Sequence, residues 1–342
     1  MTTQVPPAIE DEAMLDDMLS QPSDALVETL ARLEGDITIL GVGGKMGPTL
    51  ARMAKRAAPD KRVIGVARFS DAALRDRLEG WGIETVACDL LDRSAVEGLE
   101  KTANAVFMAG RKFGSEGNQP LTWAMNSHVP AIVAEAFRDS RIAVFSTACV
   151  YAFADVHGPG AREGDPLTPP GEYANSCIGR ERMFEHFSNV HGTRLALIRL
   201  SYAIDLRYGV LHDIARAVLD GEPVPLASGH CNVIWQRDAN DIALRTLAHA
   251  DHPAFVLNLS GPELASVRQI ALRFGDLFGK DVTFEGAEQD EAWIVDTGRQ
   301  QRLFGYPTVP LPVLVDWTAD WLKRGGKTLG KPTRFEVRDG TY

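Results

Sequence analysis

The sequence predicts an α/β fold: a doubly wound parallel sheet with a smaller, interleaved C-terminal substrate region. Three observations carry the prediction. Short, continuously apolar runs alternate with longer amphipathic ones, a glycine-rich loop separates the first run from the helical pattern behind it, and no internal repeat interrupts the alternation. A strand covered on both faces must be apolar throughout, whereas a strand with one wet face alternates. The runs at residues 37–40, 63–66, 85–88, 105–108, 142–145 and 195–199 are of the covered kind.

Composition sets the bounds. At 342 residues and 45% hydrophobic, the chain has ample core material for one large domain or two modest ones. A net charge of −10 disfavours non-specific adhesion to nucleic acid or an anionic membrane. No run approaches the roughly 20 apolar residues that span a bilayer. Residues 1–10 have neither a basic start nor an apolar signal core, so a cytoplasmic location and a small-molecule partner are expected. Cys88, Cys149, Cys177 and Cys231 show no C-x-x-C spacing and the histidines no ligand spacing, so reduced thiols and no metal site are expected.

Residues 1–35 read as an N-terminal extension of one or two amphipathic helices, with apolar positions at Met14, Leu15, Met18 and Leu19, then Leu26, Val27, Leu30 and Leu33. Ser23 or Asp24 begins the second. These helices are expected to pack on the main domain or to supply a subunit contact, which leaves a homodimer open. Residues 36–200 form the expected dinucleotide-binding domain. Residues 201–330 read as mostly substrate-binding, with a strand at 255–259 returning to the main sheet, and residues 331–342 as a C-terminal tail.

The loop Gly41-Val42-Gly43-Gly44-Lys45-Met46-Gly47 follows a buried-strand pattern and opens a helical one. Glycines permit a tight turn and a close approach of the backbone to a pyrophosphate, whose charge is met by unpaired amides at the helix start. Gly41, Gly44 and Gly47, with Lys45 and Met46 between them, are therefore assigned to a nicotinamide dinucleotide in a Rossmann arrangement. Where an acidic residue would bind the ribose of NAD, twenty residues after Gly47, stands Ala67. Alanine leaves room for a 2′-phosphate and Arg68 can pair with it, so NADP is preferred and NAD is the alternative. Asp89, with Leu90 after it, is placed to accept from the adenine amino group or else to cap the next helix.

These features, in this order, resemble the extended short-chain dehydrogenase/reductase superfamily, the NAD(P)-dependent epimerase/dehydratase group, over roughly residues 36–325. The resemblance implies that Met108, Ala109 and Gly110 lie beside the cofactor and that Asn126 supports the active-site geometry next to the substrate. The segment Ser146-Thr147-Ala148-Cys149-Val150-Tyr151 is similar to the family's hydroxyl-bearing strand end, with Thr147 at the catalytic serine/threonine position. The family chemistry it implies is hydride transfer between a substrate carbon and nicotinamide, with a tyrosine moving the hydroxyl proton. Tyr173 matches that tyrosine, but the lysine that usually follows four residues later is Cys177.

A neutral thiol cannot supply the fixed positive charge that lowers a tyrosine pKa. Three explanations follow. Another cation substitutes, with Arg180 on the same helical face and Arg111 or Lys112 after the fourth strand as candidates. Alternatively, the chemistry does not need a lowered pKa, or catalysis is lost and the protein is a dinucleotide-binding sensor. Cys231 stands where nucleotide-sugar members commonly carry an arginine, which disfavours a nucleotide sugar. Arg207 suits a carboxylate and Trp235 a sugar face, and Tyr208 and Asn232 are further candidates for the substrate. Trp293 reads as a packing residue. The reading is an NADP-preferring oxidoreductase or epimerase acting on a small polyhydroxylated substrate such as a sugar or sugar acid. Its alternatives are a dehydratase, lyase or isomerase that retains its dinucleotide, and the non-catalytic sensor.

Overall fold

Seven parallel strands form the central sheet: β1 (Ile37–Leu40), β2 (Val63–Ala67), β3 (Glu84–Ala87), β4 (Asn104–Phe107), β5 (Arg141–Thr147), β6 (Leu195–Leu200) and β7 (Phe255–Leu259). The structure is a computed structural model that describes residues 5–112, 114 and 117–340. In space the strands run 7-6-5-4-1-2-3, so the chain builds outward from β1 to β3 and then crosses to β4. Ile37 lies opposite Val63 on one side and Asn104 on the other. That reversal opens a crevice beyond the carboxyl ends of β1 and β4, the usual ligand position in such sheets. β1 and β4 are buried along their whole length, with their polar residues Thr38 and Asn104 satisfied by hydrogen bonds with the Thr102 hydroxyl and the Glu34 carbonyl; β3, at the sheet edge, is largely exposed.

Helices cover both faces. Counting from the N-terminus, α1 (Glu12–Leu19) and α2 (Asp24–Arg32) precede the sheet, and α3 (Gly47–Ala57), α4 (Ala72–Gly80) and α5 (Arg93–Gly98) connect its first strands. After β4 come α6 (Gln119–Trp123), a π-helical turn at Ala124–His128, α7 (Val129–Ala136) and α8 (Glu172–His191). One face of the sheet packs Ile39 and Phe145 against Leu30 of α2, Leu50 of α3 and Leu244 of α10 (Gln236–Arg245). The other packs Leu40 and Val144 against Val133 of α7 and Phe184 of α8. A third core lies outside the sheet, among α9 (Val210–Asp220), α11 (Val267–Phe278) and α13 (Leu311–Lys323), while α12 (Gly298–Phe304) sits near β7.

The N-terminal helices join two of these cores. Leu15 and Leu19 of α1 enter the third core, and Leu26 and Leu30 of α2 enter the sheet core. Asp11 caps α1 by accepting from the Met14 amide at 2.8 Å, and Ser23 caps α2 by accepting from the Leu26 amide at 3.0 Å. Each cap contributes about 1 kcal/mol. Among the described residues no helix is long and apolar enough to cross a membrane.

Candidate functional site

The glycine loop leaves β1 and enters α3 at the crevice. Gly41 has φ +91°, and a Cβ there would stand 2.6 Å from the Ala109 amide nitrogen. A Cβ on Gly47 would stand 2.2 Å from the Val42 carbonyl oxygen. These two glycines therefore hold the turn closed on itself. Gly43 and Gly44 differ, because a Cβ on either would meet nothing nearer than 3.4 Å. The α3 helix starts with no side-chain cap, which leaves its first amides for another acceptor. An open, amide-rich cradle of this kind fits a dinucleotide pyrophosphate.

Two cavities meet at the loop and share Gly41, Gly44, Met108 and Gly110. The outer one, about 520 Å³, is bordered by Ala67, Arg68, Asp89, Leu90 and Ala109. Arg68 is exposed and makes no ion pair among the described residues. The cap of α5 falls to Asp92, which accepts from the Ala95 amide at 3.1 Å, so Asp89 is left on the cavity wall.

The inner cavity, about 340 Å³, runs from Lys45, Met46 and Gly47 to Thr147 and Tyr173. Thr147 ends β5, with its hydroxyl accepting from the Cys149 amide at 3.2 Å. Tyr173 lies in the first turn of α8 and is in hydrogen-bond contact with the Cys177 thiol one turn on. Burial, then the nearby thiols of Cys177 and Cys149, push the Tyr173 phenol well above its ordinary value, against a smaller opposing pull from Arg180. Lys112 lies on the same wall, its ammonium 5.9 Å from the Tyr173 ring centre and donating to the Thr333 carbonyl at 3.2 Å. Burial lowers the pKa of Lys112. Tyr208 also reaches this cavity, beneath the Lys45 ammonium at 3.1 Å from its ring centre.

Five expected site residues face elsewhere. Arg180 is buried behind Gly110, donating to the Phe145 carbonyl at 2.7 Å and to Asn126 Oδ1 at 2.9 Å. Asn126 is fully buried and exchanges two 2.8 Å hydrogen bonds with the backbone of Arg111, so it braces the loop after β4 and does not border the cavity. Arg207 is consumed by buried ion pairs to Asp205 at 2.7 Å and Asp16 at 3.0 Å. Trp235 packs edge-on against Trp317 in the third core, with ring centres 5.6 Å apart. Asn232 is spent on the Val295 amide at 2.8 Å and the Glu263 carbonyl at 3.0 Å. Conversely, Trp293, read from sequence as packing, borders the inner cavity while donating to the Tyr151 carbonyl at 3.0 Å. Thr333 and Lys331 border the inner and outer cavities, and nothing in the sequence of the tail signals it. No cluster of three or more His, Cys, Asp or Glu among the described residues could hold a metal ion.

No protein-family model and no curated protein sequence matches the chain. Solved structures do. DesIV, a dTDP-glucose 4,6-dehydratase from Streptomyces venezuelae determined with NAD and TYD bound, superposes with a TM-score of 0.72 at 18% identity, covering 84% of this chain and 97% of that one. A UDP-galactose 4-epimerase gives 0.68 at 22% identity over 85% and 99%. Pal from Bacillus thuringiensis gives 0.69 at 18% over 84% and 99%. The chain has the fold of the extended short-chain dehydrogenase/reductases. In this fold Cys177 places its thiol against the Tyr173 phenol, and Lys112, in the loop after β4, reaches the same cavity from the carboxyl end of the sheet.

Proposed function

We propose that the protein is an NADP-preferring oxidoreductase that reduces a carbonyl group on a small polyhydroxylated substrate. The observation that carries this reading is the single cavity joining the glycine loop to Thr147, Tyr173 and Lys112. When bound, a nicotinamide dinucleotide supplies or accepts the hydride. Tyr173, with its pKa raised, stays a neutral phenol at physiological pH and is suited to give a proton to the substrate oxygen. Thr147 orients that same oxygen with its hydroxyl. Lys112 is the cation that stabilises negative charge developing there, in place of the residue that Cys177 replaces. Exposed Arg68 beside Ala67 supports the preference for a 2′-phosphate. An inner cavity of about 340 Å³ is at the small end of ligand pockets, roughly 300–1,000 Å³, which supports a small substrate.

The named activities of the structural neighbours favour a second reading, an epimerase or dehydratase that retains its dinucleotide. Following NADPH absorbance with a panel of keto-sugars and keto-acids separates the readings. Stoichiometric oxidation supports the reductase, product without net cofactor change supports the second reading, and binding without turnover supports a sensor. In an active parent, Tyr173→Phe should cut turnover by about a hundredfold or more while leaving NADPH affinity intact; an active phenylalanine variant would remove Tyr173 from the mechanism.

A further inference from the structure

After α13 the chain turns back across the site. The Leu329 amide donates to the Arg207 carbonyl at 3.0 Å. The amide and hydroxyl of Thr333 both donate to the Asp213 carboxylate, at 2.6 and 2.5 Å, while its carbonyl accepts from Lys112 at 3.2 Å. Phe335 is buried in the third core. Arg338 stacks on Phe153 at 4.0 Å and donates to the Glu291 carbonyl at 2.7 Å. The backbone of Gly340, at φ +78°, lies against Gly171, which precedes α8 and Tyr173.

Between these anchors, Lys331 borders the outer cavity and Thr333 the inner one. Lys331 and Lys112 both lie near enough to Lys45 for their charges to act on it, adding to the effect of its burial. Asp213, the neighbouring carboxylate, is occupied by Thr333. Three lysines gathered around a glycine cradle disfavour one another's charged forms, and an anion placed among them favours those forms again.

We infer that residues 327–340 form a strap that completes the dinucleotide site, with Lys331 meeting the pyrophosphate and the Thr333–Asp213 clasp holding the strap shut over it. The inference rests on the dinucleotide reading above. Entry and exit of the cofactor then require the clasp to open, so the strap sets the release rate. A charge-assisted contact of about 1.5–3 kcal/mol corresponds to a tenfold or larger effect.

The test measures NADPH release by chasing the bound complex with excess NADP in the full chain, Lys331→Met and Asp213→Ala. Lys331 is exposed, so its replacement leaves the fold alone. Release should accelerate about tenfold or more in both variants, and the salt dependence of binding should flatten in Lys331→Met. Trypsin gives a second readout, because Arg334 is exposed at φ +52° within the strap. Cleavage after Arg334 should be faster in Asp213→Ala than in the parent, and saturating NADPH should slow it in the parent. Release rates within twofold of the parent in both variants, or cleavage indifferent to NADPH, overturn the strap alone. A parent chain that binds no dinucleotide overturns the cofactor reading together with it.

Discussion

Lys45 sits in the glycine loop, and its pKa is pushed down to about 7, first by burial and then by Lys331 and Lys112, with Asp213 pulling the other way. A lowered lysine pKa means that the folded chain binds fewer protons than the unfolded one between about pH 7 and the ordinary lysine value of 10.5. The cost of charging Lys45 is therefore fully present below about pH 7, and this group's contribution to stability rises with pH across that window. Lys45→Met should remove that rise, read as a flatter stability–pH curve by urea denaturation. Phosphates beside the ammonium would draw the pKa back up. Calorimetry near pH 8 in buffers of different ionisation heat should therefore show proton uptake on NADP binding, absent in Lys45→Met. Arg68 offers a sharper test of cofactor choice: Arg68→Ala should weaken NADP about tenfold or more and leave NAD nearly unchanged, and equal losses would sink the 2′-phosphate assignment. Both residues were legible in the sequence because their position depends only on a loop and the end of the next strand. Lys112 against Arg180 was not, since the choice turns on which side chain lies behind Gly110 and which beside Tyr173, and sequence spacing is silent on that.

At the scale of elements, the loop between β1 and α3 contains glycines that do different things, although one spacing announces them all. Gly47 is packed against the Val42 carbonyl, so a methyl group there must displace backbone. Gly47→Ala should cost about 1–3 kcal/mol or more, seen as a lower thermal midpoint without any ligand present. Gly44 has room for a methyl group, its nearest neighbour being the Gly41 carbonyl oxygen at 3.6 Å, but it borders both cavities. Gly44→Ala should keep the parent's midpoint and lose dinucleotide affinity. The pair separates turn-making from ligand-making in a motif that the sequence shows as one. Most strands were readable for the same local reason, since burial on both faces writes itself as an apolar run; the run at 85–88 was read as covered, but it falls on the edge strand β3, which is largely exposed. Boundaries moved by one or two residues because hydrogen-bond register, not hydropathy, ends a strand: β5 runs two residues past Phe145 to Thr147 through its pairing with Leu200.

Across the whole molecule, the sequence lost its hold where polar residues find partners far along the chain. Arg207 after β6, and Asn232 and Trp235 beyond α9, suit a substrate by residue type, yet each is held by a remote contact. Arg207 shows the physics most directly, because it joins the loop after β6 to α1 across 191 positions through Asp16 while also holding Asp205. A buried arginine between two carboxylates ties the N-terminal helices to the third core, the core into which Leu15 and Leu19 pack. Removing it leaves Asp205 buried without its ion pair and Asp16 with only the longer pair to Arg77 at 3.6 Å, and breaking a buried pair typically costs about 3–5 kcal/mol. Arg207→Ala should therefore lower the thermal midpoint by several degrees, with α1 loosening first and its amides losing hydrogen-exchange protection ahead of those in β1 and β4. If Arg207 instead met a substrate, the variant would keep its midpoint and lose only affinity for the substrate. The expected order of loss, stability before ligand binding, follows from where its charge is already spent.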